Sequence, residues 1–424
     1  MSKVKIALIG AGQRGKDVYG DYALRNPQEV QFVAVAEPDD EKRTIFAANH
    51  EINGEFQFKS WEELLNRPQF CDAVIIAVQD RMHYEPALLA LRQGYHVLLE
   101  KPMATDPFQC IQLGKAAQEY KRIFMICHVL RYTPFFSTIK ELIAQNKIGK
   151  IVSIQYNENI GFWHFAHSFV RGNWRNSEES SPIILAKSCH DMDILLWLAG
   201  SDCEKISSFG ELSYFKVENA PEGAGNRCIQ GCKIEHECAF SAVKQYLGDN
   251  VDWPTSVISE DKSLKARINA LKEGPYGRCV FKCDNNVTDH QVVIAEFKGG
   301  VTAAFTMCAF TPEISRTIKI MGTAGQIDGH MEKNEIIITH FASGRKEIIY
   351  PGKIYGRHAG GDTRLMKEFA ALVSNNDGTQ ALTSADISVQ SHLMAFAAEE
   401  SRLSGKVINM QEYYTNISNQ NRPE

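Results

Sequence analysis

Apolar and polar positions change their rhythm once along this chain. Through residues 1–126, short apolar runs alternate with amphipathic stretches. "KVKIALIG", "VQFVAVAE", "CDAVIIAV", "YHVLLEKP" and "RIFMICHV" have the length and β-branched content of strands, and helical patterns such as "EPALLALRQG" lie between them. Strands that alternate with helices pair in parallel, because the crossover needs a helix's worth of chain. From about residue 150, "KIVSIQYNE", "KISSFGELSYF", "HQVVIAEF", "VTAAFTMCAF", "RTIKIMG", "EIIITHF" and "KEIIYP" follow one another with few helices between them. That pattern predicts a large, mostly antiparallel sheet. "GGDTRLMKEFAALV" and "SADISVQSHLMAFAAEESRLSG" then read as helices with acidic or hydroxyl start signals.

The expected architecture is α/β. A doubly wound parallel sheet spans 1–126, an α+β domain with an open, mostly antiparallel sheet spans 127–413, and 414–424 forms a tail. A polar insert at about 216–286 interrupts the second domain and holds five of the eleven cysteines. We find no internal repeat.

Composition adds limits. Over 424 residues, 44% hydrophobic and 23% charged side chains are ordinary for a packed protein of two or three domains. A net charge of −5 argues against a nucleic-acid or anionic-membrane partner. No apolar run reaches membrane-spanning length, and the start lacks a signal peptide's pattern, so a cytoplasmic location and reduced cysteines are expected.

Gly10, Gly12 and Gly15 form G-x-G-x-x-G directly after the first strand, enclosing Gln13 and Arg14. In that setting the first glycine permits a tight turn and the second lets backbone approach a pyrophosphate. The third allows close helix–strand packing, and the helix start offers free N–H groups. Glu37 ends the next strand, 22 residues past Gly15. A carboxylate there accepts hydrogen bonds from adenosine ribose hydroxyls and repels a 2′-phosphate, which favours NAD over NADP, although Arg43 lies nearby in sequence.

"HVLLEKP" ends a strand with Glu100, Lys101 and Pro102. The carboxyl ends of parallel strands line the ligand crevice, which would place Lys101 beside the cofactor. The glycine motif, Asp80 and His83 in "QDRMHYEPALLAL", and "EKP" together resemble the glucose–fructose oxidoreductase/inositol dehydrogenase (Gfo/Idh/MocA) family. "IGKIVSIQY", "CHDMDILLWLAG", "TIKIMGTAGQID" and "GGDTRLMKEF" match its second domain in order. The resemblance covers about 1–213 and 287–413.

The resemblance implies a Rossmann domain followed by an open-sheet domain, with substrate between them. It implies that Gly10, Gly12, Gln13, Arg14, Gly15, Glu37, Asp80, His83, Glu100 and Lys101 form the cofactor side. It also implies that Lys101 contacts the substrate hydroxyl and that His190 accepts its proton. Imidazole chemistry suits that task, and a position in the first turn of "CHDMDILLWLAG" favours the neutral ring. Asp191 is expected as a cap or dipole-favoured residue behind Ser188, and Asp193 either orients His190 or packs elsewhere. One departure stands out: where family dehydrogenases usually carry an aspartate four residues before the histidine, this chain has Ala186. His190 then works with Lys101 alone, or Lys187 or a substrate group compensates.

"FWHFAHSFVRGNWRN" places His164, His167, Arg171, Trp174 and Arg175 in one stretch, suited either to a sugar or to an amphipathic surface loop. His128, Arg131 and Asp193 could reach the same crevice. So could His358, which precedes Gly360, Gly361 and an expected cap at Asp362. In the insert, Cys228, Cys232, Cys238 and Cys283 suit a structural zinc site, and scattered buried cysteines are the alternative. Taken together, these features point to an NAD-dependent oxidoreductase acting on a secondary hydroxyl of a sugar, polyol or sugar derivative. Two alternatives are a glycoside-cleaving enzyme that oxidises its substrate transiently and a non-enzymatic NAD-dependent sensor. An exposed face on the second sheet would suit a homo-oligomer.

Overall fold

In the computed structural model, which describes residues 3–352, 360–376 and 378–420, two sheets lie where the two rhythms predict them. The first contains β1 (Val4–Ile9), β2 (Val30–Ala36), β3 (Gln57–Phe58), β4 (Ala73–Ile76), β5 (His96–Leu99) and β6 (Phe124–Ile126). Every pairing is parallel, in the order β3-β2-β1-β4-β5-β6. β4 and β5 are buried at every position, because helices cover both faces and no alternation is required. Local signals start the helices. The Asp39 carboxylate caps Asp40–Asn49, and Asp106 caps Pro107–Tyr120 with proline in the first turn, where its missing N–H costs nothing.

The second sheet contains β7 (Ile151–Asn159), β8 (Cys203–Glu211), β9 (His290–Phe297), β10 (Val301–Cys308), β11 (Ser315–Gly322), β12 (Gly325–His330), β13 (Glu335–His340), β14 (Lys346–Ile349) and β15 (Ile408–Asn409). Its order is β14-β13-β12-β11-β7-β10-β9-β8-β15, with β7 and β10 as the parallel pair. Here side chains alternate: Val293, Ala295 and Phe297 point into the core, while Val292 and Ile294 face out. Helices Pro134–Ala144, Cys189–Ala199 and Ala385–Ser404 contribute to the core on the inner face.

The chain crosses between the two halves more than once. Leu365, Met366 and Phe369 of helix Gly361–Asn375 pack in one cluster with Val4, Ile6 and Tyr19. The segment expected as a tail from 414 is helical as Met410–Ser418, with Tyr413 and Ile417 buried. Asp362 does not cap its helix. Gly360 takes the N-cap position with φ of 79°, and Asp362 forms an ion pair with Arg14 instead.

Candidate active site

The glycine turn has the spacing its motif requires. Gly10 has φ of +94°, and a Cβ there would meet the Ala77 carbonyl oxygen at 2.6 Å. A Cβ on Gly15 would lie 2.1 Å from the Gly10 carbonyl oxygen, so only glycine lets the helix start this close to the strand. At Gly12 nothing lies within 4 Å, which leaves backbone open to an approaching group. Glu37 at the end of β2 turns its carboxylate toward this loop and accepts the Ala11 N–H at 2.8 Å. Arg43 donates to the Glu37 carbonyl at 2.7 Å and pairs with Asp40, so its charge is already engaged.

Arg14 spans the loop rather than pointing away from it. It forms ion pairs with Glu100 and, at 2.8 Å, with Asp362, and donates to the Tyr19 hydroxyl at 3.1 Å. Burial opposes ionisation of Glu100, yet the Arg14 charge and the Tyr19 hydroxyl hold its carboxyl below the ordinary range. His83 braces the end of β5, with Nδ1 2.6 Å from the Pro102 carbonyl and Nε2 3.1 Å from that of Val78. The Lys101–Pro102 bond is cis. Asp80 accepts from Trp174 Nε1 and from the Ser181 hydroxyl, both at 3.2 Å, which ties the first half to the second.

Lys101 reaches across the same boundary. Its Nζ donates to the Ala186 carbonyl at 2.6 Å. The position where an aspartate side chain was expected thus serves the lysine through its backbone. Helix Cys189–Ala199 begins three residues later and carries a buried His190 in its first turn. The His190 ring packs edge-on to His128 at 5.8 Å, and His128 packs against His392 at 5.1 Å. Burial keeps these neighbours neutral, pushing His128 down to about 4 and His392 to about 3.

Other candidate residues serve to hold this arrangement. Arg131 and Asp193, expected to reach the substrate, form a buried two-pronged pair at 2.7 Å and 2.7 Å. Although burial works against it, Arg131 holds Asp193 ionised. Asp191 stands in the helix's first turn, where the dipole favours it, but is buried against Arg316 at 2.8 Å, and the Ser188 hydroxyl makes no capping bond. Arg316 also pairs with the buried Glu158 at 2.7 Å, which pairs with Lys187 at 2.9 Å. Sequence reasoning missed Glu158 and Arg316, because on strands they follow an alternation that usually marks apolar residues.

His167 is engaged by the insert, with Nδ1 2.8 Å from the Tyr246 hydroxyl and its ring stacked on Tyr276 at 4.9 Å. His164 is half-buried against Trp163 and Trp253, and burial together with the Lys187 charge pushes its imidazole well down. His358 lies outside the described residues. The expected zinc set needs correction. Among the described residues no group of three or more His, Cys, Asp or Glu could hold a metal ion. Cys283 turns its thiol onto the Cys279 carbonyl at 3.2 Å instead of joining Cys228, Cys232 and Cys238. No described helix is long and apolar enough to cross a membrane.

Comparison with known proteins adds the family. The oxidoreductase family's NAD-binding Rossmann fold matches residues 4–128, and its C-terminal alpha/beta domain matches 140–410. YteT of Bacillus subtilis (strain 168), named as an oxidoreductase, is 26% identical over 331 residues, covering 74% of this chain and 75% of its own. The 2,7-anhydro-N-acetylneuraminate hydratase of Mediterraneibacter gnavus is 24% identical over 210 residues, which are 50% of this chain and 53% of the hydratase. A levoglucosan dehydrogenase solved with NADH and levoglucosan shares the fold, with a TM-score of 0.70 at 18% identity, covering 96% of this chain and 99% of that one. With both family domains matched in order and together covering most of its length, the chain belongs to the Gfo/Idh/MocA oxidoreductase family and carries that family's NAD-binding Rossmann domain.

Proposed function

We propose that this chain is an NAD-dependent oxidoreductase acting on a secondary hydroxyl of a sugar, polyol or sugar derivative. In this reading residues 1–126 hold the cofactor and 127–413 form the substrate side. One observation carries it: Lys101, at the carboxyl edge of the parallel sheet, bonds the Ala186 carbonyl just before the helix bearing His190. A cation and an imidazole are thereby held on opposite sides of one boundary.

The residues present suit the cofactor. Open space at Gly12, where the helix starts, fits a pyrophosphate, and the Glu37 carboxylate suits a ribose diol. Arg43, the nearby arginine, is engaged by Asp40 and by the Glu37 carbonyl, which favours NAD over NADP. When bound, the nicotinamide supplies the hydride acceptor or donor. Lys101 donates a hydrogen bond to the substrate oxygen and stabilises its developing negative charge. His190 takes the hydroxyl proton during oxidation and returns it during reduction. The pairs Arg131–Asp193 and Arg316–Asp191 fix the helix beneath His190, so the ring meets the substrate without reorganising.

The test is NADH absorbance while purified protein and NAD meet a panel of polyols, sugars, sugar acids and glycosides. Stoichiometric NADH from one class, lowered about 10²–10⁴-fold in kcat by Lys101→Ala or His190→Ala, supports the reading. A second reading rests on Ala186 and on the hydratase relative: transient oxidation followed by elimination or addition, with hydride returned to the product. It would appear as substrate conversion without accumulating NADH. NAD binding with no conversion of any class would favour a sensor.

A further inference from the structure

The insert is anchored near both ends, where Phe215, Val280 and Phe281 pack in the main core of the second half. Between those anchors it lies along the 162–171 stretch. Tyr246, buried in the insert's own small cluster, bonds His167 through its hydroxyl, and Gln245 Nε2 donates to the Trp163 carbonyl at 2.9 Å. Arg267 Nη1 donates to the Tyr246 and Gly248 carbonyls at 2.8 Å and 2.9 Å, which sets the direction of the chain that follows. That chain brings the Trp253 ring to 5.5 Å from Trp163, 5.0 Å from His164 and 5.9 Å from His167, crossing them at 63°, 82° and 81°. Seven residues further on, Glu260 pairs with Lys16 at 3.3 Å, on the helix that opens at Gly15 of the cofactor turn. The insert therefore runs from the substrate half to the cofactor half.

Trp253 stands close to the chemistry. His164 lies within the field of Lys187, and Lys187 follows Ala186, whose carbonyl holds Lys101. The chain has five tryptophans. Trp61, Trp174 and Trp197 pack against a hydrophobic core, whereas Trp163 and Trp253 belong to none of the core clusters among the described residues. Both are half-buried. Trp174 donates its indole N–H to Asp80; those of Trp163 and Trp253 have no partner among the described residues and are not enclosed. Large apolar rings that complete no core and keep a polar edge within reach of water have the character of a binding surface. A pyranose suits them, because its C–H face covers an indole while its hydroxyls accept from the N–H.

We propose that Trp253, with Trp163 and His164, forms an outer subsite for a second sugar ring, so that the substrate is a glycoside of two or more rings rather than a free monosaccharide. The proposal rests on the reading that this chain acts on a sugar hydroxyl. The ring contacts of Trp253 are Trp163, His164 and His167, none of which serves the reacting hydroxyl, so a ring stacked there is a second one. The Glu260–Lys16 pair is exposed and contributes little to holding the subsite. The bonds made by Tyr246, Gln245 and Arg267 hold Trp253 in place instead.

The experiment is calorimetric titration of the full chain, saturated with NADH, using matched pairs of ligands. Each pair is a methyl pyranoside and the disaccharide that carries a second pyranose in place of the methyl group. The expected result is at least one series in which the disaccharide binds about tenfold more tightly. Trp253→Ala should remove that gain and Trp253→Phe should restore most of it, which a merely disordered insert would not allow. Val257→Ala, at an exposed position on the same segment, should retain it. Equal binding within every pair, or binding by none, overturns the subsite, and a gain that survives Trp253→Ala overturns the part given to Trp253. NADH formation from NAD with the same ligands separates the two claims. Equal affinities with NADH formed remove the subsite and leave the oxidoreductase, whereas a Trp253-dependent gain without NADH keeps the subsite and removes simple dehydrogenation.

Discussion

Glu37 shows how much one side chain can decide. Its carboxylate accepts the Ala11 N–H and faces the glycine turn, so replacing it with alanine removes a charged acceptor from the cofactor's ribose. Such bonds contribute about 1.5–3 kcal/mol. Glu37→Ala should therefore weaken NAD binding by roughly 10- to 100-fold while narrowing the NAD/NADP ratio, read by calorimetric titration with both cofactors. A wild-type preference for NADP would sink the assignment. The buried histidines carry a separate expectation. His128 and His392 are pushed down to about 4 and about 3 in the folded chain, chiefly by burial. Unfolded, both titrate near 6.5, so the unfolded state binds more protons below that pH. Their stabilising effect is complete above about pH 6.5 and is lost as pH falls toward 4. The slope should reach about 1.4 kcal/mol per pH unit for each ring. Urea unfolding at pH 7 and pH 5 checks the sign, and His392→Asn should flatten the slope.

Among the elements, helix Cys189–Ala199 shows both what the sequence made legible and what it did not. The helix and its His190 are legible through the resemblance that "CHDMDILLWLAG" carries, and Gly200, with φ of 71°, ends the helix. The fates of Asp191 and Asp193 do not follow, because both are anchored by arginines distant in sequence. Arg316 stands 125 residues from Asp191, and Arg131 62 residues from Asp193. A charge on a strand reads as solvent-facing until the strand's neighbours are known. The same limit applies to Cys279 and Cys283. Their spacing could not show which one turns inward, since that depends on the backbone bond to Asn226. Breaking the buried network tests its weight. Arg316→Met leaves the buried Asp191 without its cation and Glu158 with Lys187 alone, which costs about 3–5 kcal/mol. The expected outcome is a clear drop in unfolding temperature, whereas Lys319→Met on the exposed face of the same strand should change it little.

For the molecule as a whole, the question is what covers the second sheet. Helices pack on its inner face, and among the described residues Phe209, Val292 and Ile294 on its strands are exposed on the other. Strand spacing of about 4.8 Å and central strands of about eight residues give that face roughly 40 by 25 Å, on the order of 1,000 Å². A stable interface needs about 800 Å² from each partner. The face is not uniformly polar: Phe209, Val292 and Ile294 are cross-strand neighbours and are 65%, 36% and 52% exposed. Beside them, Thr302 bonds Ser153 and Asn157 bonds Thr317, so the polar side chains have already paired with each other and lie flat. An apolar cluster joined to a flat, satisfied polar surface suits a second copy of the same sheet, related by a two-fold axis. The chain should therefore sediment as a dimer or a higher even assembly at micromolar concentration. Ile294→Glu should shift it to monomer while leaving NAD affinity unchanged, since the glycine turn and Glu37 lie on the other sheet. A wild-type chain that stays monomeric across that range would leave the outer face without its proposed occupant.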